Sequence, residues 1–74
     1  MQMLSKKLVA DNVKLVDELI TYTDEKVKEQ KKQSELKELL GNIKKFLLDK
    51  KADSKRKAEI ILRMPLLQLT VRKA

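Results

Sequence analysis

Seven cations gather between positions 44 and 57: Lys44, Lys45, Lys50, Lys51, Lys55, Arg56 and Lys57. This strip is the feature of the sequence with most functional promise, and its chemistry is attraction of an anion. Lys50 and Lys51 fall where a helix is expected to end, and cations there complement the helix dipole without any ligand. Lys55, Arg56 and Lys57 fall where the next helix is expected to start. Cations are mildly unfavourable at a helix start, so an anionic partner would better explain them. The competing reading is a solvated face kept for solubility. Across the chain Lys outnumbers Arg fifteen to three. A Lys ammonium is a flexible point charge, whereas the Arg fork reads base edges and clamps phosphates. The strip therefore suits nonspecific attraction better than base-specific reading.

Reactive chemistry is hard to assemble from the remaining residues. The chain has no Cys and no His. That removes a thiol nucleophile, a thiolate metal site, the commonest general base and the commonest metal ligand. Ser54 and Lys57 could form a Ser–Lys pair, but no Gly-rich turn accompanies them to build an oxyanion hole. Asp17 with Glu18, and Asp24 with Glu25, are sequence neighbours whose side chains diverge by about 100° on a helix. They read as a solvated face and not as paired carboxylates. Phosphate-binding loops, dinucleotide fingerprints and zinc spacings are absent. The expectation is a non-enzymatic protein without cofactor, metal or small-molecule substrate.

The elements that must position the strip follow from the spacing of apolar residues. Seventy-four residues, 42% apolar and 39% charged, make one domain with a small core. One Gly and one Pro favour long helices over strands joined by turns. Val9, Val13, Val16, Ile20 and Val27 recur with a helical period, with Thr23 filling the gap. Leu4, Leu8, Leu15, Leu19 and Tyr22 form an adjoining stripe. A helix is expected over about 5–31, with a possible interruption at Ala10-Asp11-Asn12 where Asp11 could cap a new start. Lys28 to Gln33 holds no apolar residue and reads as a polar helix end plus a loop.

Ser34 is then a plausible N-cap for a second helix over about 34–50, carried by Leu36, Leu39, Leu40, Ile43, Phe46 and Leu47. Gly41 lies inside it, either allowing a close helix crossing or marking a break. A third helix over about 54–64, capped by Asp53 or Ser54, would turn Ala58, Ile61 and Leu62 inward, with Leu66 and Leu69 as further candidates. Ile20, Ile43 and Ile61 are expected in the core. Pro65 should end or kink the helix near Arg63. The segment 65–74 reads either as a helix with Pro65 at its first position or as an extended stretch alternating Leu67, Leu69 and Val71. The covering helix is preferred. The expected fold is all-α: a small antiparallel bundle of three helices with a short C-terminal helix or arm, paired as a dimer because so short a chain often completes its core with another copy.

Net charge is +7, divided unevenly. Residues 1–37 hold eight lysines and seven acids, giving +1, and residues 38–74 hold ten basic and four acidic residues, giving +6. Three readings fit. The first is a regulatory binding protein, an inhibitor, adaptor or antitoxin-like accessory factor of a larger protein, or of its own second copy. The alternative is a nucleic-acid (DNA) binding protein using the 44–57 strip, with Lys50 to Asp53 as the turn of a helix-turn-helix. Scarce Arg and the lack of stacking aromatics weigh against it. The third is a protein of anionic membrane surfaces. Its coarse plan of Lys-rich antiparallel helices with a distinct C-terminal segment resembles small bacteriocin immunity proteins, in organisation only and without a shared motif. No stretch nears the roughly 18 apolar residues of a membrane span, and the start lacks the apolar run of a secretion signal. A cytoplasmic location is expected.

Overall fold

The computed structural model describes residues 5–73, in which every regular element is an α-helix. Leu4, placed in the first apolar stripe, and Ala74, at the end of the tail, lie outside the described residues. The helices are α1 (Lys6–Lys26), α2 (Gln30–Leu48), α3 (Ser54–Leu62) and α4 (Met64–Lys73).

α1 begins at the Ser5 N-cap, whose hydroxyl accepts from the Leu8 N–H. It continues without a break through Asp11. Asn12 is accommodated because its Nδ2 donates to the Leu8 carbonyl at 2.8 Å, the i−4 bond that lets a polar side chain stay inside a helix. Thr23 repeats the device with a 2.8 Å bond to the Leu19 carbonyl, so its hydroxyl is satisfied although the residue is fully enclosed.

The α1–α2 connection is shorter than the sequence suggests. α1 stops at Lys26, and Val27 is the buried anchor of a tight link. α2 already starts at Gln30, so Gln30 to Gln33 is helical and Ser34 is not an N-cap; Glu29 holds that position without a side-chain bond. The reason is local. Gln33 Nε2 donates to the Asp24 carbonyl at 2.9 Å, satisfying one of the last carbonyls of α1 from the first turn of α2. A helical turn with no apolar residue is invisible to periodicity.

α1 and α2 run antiparallel. Asp17 pairs with Lys44 at 2.7 Å and Asp24 with Lys37 at 3.0 Å. The two acids are two turns apart on α1 and the two lysines two turns apart on α2, so both pairs report one register. Each is half exposed and contributes less than about 1 kcal/mol. They mark the alignment that packing sets. The enclosed apolar side chains are Val16, Leu19, Leu40, Leu47, Met64 and Val71, with Val27 at the link. Ile20, Ile43 and Ile61, expected in the core, are half-buried around it. The centre lies one position away on α1, at Leu19, because the contact to α2 falls between the two apolar stripes.

Pro65 interrupts the C-terminal helical stretch between α3 and α4, as its missing N–H and ring require. Arg63 is the hinge, with φ −89° and ψ −2°, and Pro65 lies in the first turn of α4. α4 covers α1. Met64 and Val71 are buried, and the Tyr22 hydroxyl donates to the Arg72 carbonyl at 3.4 Å while the Arg72 guanidinium lies over the Tyr22 ring. Leu62, Leu66 and Leu69, considered for the inner face, are instead exposed.

Gly41 and its neighbour Leu40 offer a paired test. A Cβ at Gly41 would meet nothing within 4 Å, and its φ is not positive. It therefore supports no close helix crossing. Gly41→Ala is expected to raise the unfolding free energy by about 0.5–1 kcal/mol through helix propensity. Leu40→Ala, at a fully enclosed site, is expected to lower it by about 2–5 kcal/mol. Urea unfolding followed by circular dichroism measures both. A neutral Leu40→Ala would contradict the core described above.

Candidate functional site

Folding gives the seven cations of the strip different settings. Lys44 is turned to Asp17 and is half-buried in that pair. Arg56 is exposed and, with Phe46, Glu59 and Ile60, lines a shallow groove between α2 and α3. Lys45, Lys51 and Lys55 are exposed. Lys50 and Lys57 come together at the end of the molecule where α2 stops and α3 starts, and there they meet Lys6 from the first turn of α1.

These three lysines and Ser54 rim an open cavity of about 380 Å³. Its walls are Val9, Ala10, Leu47 and Leu48, and no acidic side chain lines it. Two acids stand nearby in the connection, each engaged with backbone. Asp49 accepts from the Lys51 N–H at 2.9 Å, and Asp53, the N-cap of α3, accepts from the Lys55 N–H at 3.0 Å. Each carboxylate folds its own turn. Lys57 has a structural duty as well: its Nζ donates to the Asp49 carbonyl at 2.6 Å, satisfying the end of α2.

The charged side chains that line the cavity are all cations. α1 and α3 both start at this end, and neither has an acidic residue in its first turn. Each start carries partial positive charge and, in this chain, lysines on top of it. Lys51 and Lys55 stand beside the cavity and no acid lines it, so positive charge lies next to the apolar side chains of Val9 and Leu48. Ser54 and Lys57, the pair considered from sequence, both rim this cavity, and the Lys57 Nζ is engaged with the Asp49 carbonyl. Among the described residues no three acidic side chains converge to hold a metal ion.

Lys6 is the member that sequence reasoning missed. It lies some forty positions from the strip and joins it only because α1 and α2 are antiparallel. The usable signal is the register of the Asp17–Lys44 and Asp24–Lys37 pairs. Extended to the start of α1, that register sets position 6 opposite the α2–α3 link.

No family model, curated protein or solved structure matches this chain. Among the described residues no helix is long and apolar enough to cross a membrane.

The lysines of the strip should separate by role. Lys57→Ala is expected to cost about 1 kcal/mol of stability through the lost bond to Asp49. Lys45→Ala and Lys51→Ala should stay within about 0.5 kcal/mol of wild type. Thermal and urea unfolding at one ionic strength check this; equal stability in all three would show that Lys57 has no capping duty.

Proposed function

We propose that the protein is a non-enzymatic accessory factor, an inhibitor or adaptor that binds an acidic face of a larger protein through its cationic end. Its architecture in this reading is an antiparallel three-helix bundle whose third member is broken at Arg63–Pro65, working as a homodimer in the cytoplasm. The observation that carries the reading is the cavity rimmed by Lys6, Lys50 and Lys57, with apolar walls and no acid in its lining. Lysines around aliphatic walls suit an acidic protein surface with an apolar centre. The surrounding charge would speed and orient the encounter. A phosphate backbone would call for a longer cationic track. Here Lys44 is paired with Asp17, which shortens any such track and favours a protein partner over DNA.

The test is capture from a nuclease-treated extract of the source cell, comparing the wild type with Lys6→Glu/Lys50→Glu/Lys55→Glu. These lysines are exposed and none caps a helix, so the variant should keep its helicity. The wild type is expected to retain an acidic protein, to release it as salt rises, and to lose it in the triple variant. Three results would sink the reading: equal capture by the variant, capture abolished by nuclease, or binding to a random DNA duplex whose affinity falls steeply with salt. Binding to anionic vesicles in place of the captured protein would point to the membrane reading.

A further inference from the structure

α4 is apolar on two opposite sides. Met64, Leu67 and Val71 turn inward. Leu66 and Leu69 stand on the far side at 71% and 59% exposure, and Leu62 at the end of α3 is 80% exposed. At about 100° per residue these outer leucines point away from the core, so they are not overflow from an inward face. Beside the ridge, between α2 and α4, runs a groove of about 400 Å³ lined by Lys32, Glu35, Leu36, Leu39, Thr70 and Lys73.

We infer that this face pairs with a second copy of the chain, the Leu66–Leu69 ridge of each α4 lying in the α2–α4 groove of the other. The inference rests on the dimeric state proposed above and assigns it a surface apart from the cationic end. Two observations select the second copy as occupant. A two-fold interface must be self-complementary, and this patch carries a ridge and an adjoining groove of the same apolar character. Its rim mixes signs, with Glu35 among Lys32 and Lys73, whereas the charged residues lining the cavity at the other end are all cations.

The salt dependence separates this contact from partner binding. Two chains of charge +7 repel, so apolar self-association should tighten as salt screens them, while binding of an acidic partner weakens. Sedimentation equilibrium from about 5 to about 200 µM reads the mass directly. The expected result is a shift toward twice 8.6 kDa with concentration, stronger in high salt. It should be lost in Leu66→Glu/Leu69→Glu and reduced in Leu39→Lys, with circular dichroism unchanged. A wild type that stays monomeric throughout overturns both the dimer and this face. A dimer that persists in both variants overturns the face alone. Leu66→Ser/Leu69→Ser repeats the test should the glutamates disturb folding. The capture experiment above stands or falls independently, because its variant leaves every residue of this face intact.

Discussion

The structure depends on the antiparallel contact between α1 and α2. Val16 and Leu19 meet Leu40 and Leu47 there with almost no exposure, and every other element is laid on that pair. The contact explains the short link at Val27, since a helix pair packed along its length leaves no slack for a loop. It explains why Gln33 reaches the last carbonyls of α1. It also brings Lys6 to the α2–α3 link and so creates the cationic end. Burial of each such side chain contributes about 1.5–3 kcal/mol, far more than the two exposed ion pairs that lie across the same contact.

So small a core also sets what cannot be enclosed. α3 has no fully buried residue, and α4 has two, Met64 and Val71. The C-terminal stretch is thus held mainly by α4 on α1, with the Tyr22–Arg72 contact near its end. Pro65 breaks this stretch without changing its inner side. At about 100° per residue Ile60, Ile61, Met64, Leu67 and Val71 fall on one side across the break, and Leu62, Leu66 and Leu69 on the other.

The helical class, the helix around each apolar stripe and the break near Pro65 were legible in the sequence, because period and breakers are local signals. The turn Gln30 to Gln33 was not, because its helicity comes from a bond to α1 and from no residue pattern of its own. The inward direction of the last helices was also illegible. Leucines at 62, 66 and 69 have the spacing of a core stripe, and spacing alone does not say which of two apolar stripes faces in. The site was half legible. Composition marked the strip, but only the antiparallel register pairs Lys44 with Asp17 and adds Lys6.

The cationic end is where local consistency gives way. Lysines on the starts of α1 and α3 oppose the helix dipoles, and Lys6, Lys50 and Lys57 repel one another around a cavity that no acidic side chain lines. Asp53 caps α3, but α1 is capped by the neutral Ser5 and neither helix has an acid in its first turn. The same chain does place acids opposite lysines elsewhere, at Asp17–Lys44 and Asp24–Lys37. Its charge is therefore balanced along the helix contact and left unbalanced at one tip. Unbalanced charge beside exposed aliphatic walls costs folding free energy unless an anion arrives to offset it, and such local conflict is expected at sites kept for binding. The prevalence of Lys over Arg at this tip suits a partner attracted by field and apolar contact more than one read by fixed bidentate geometry.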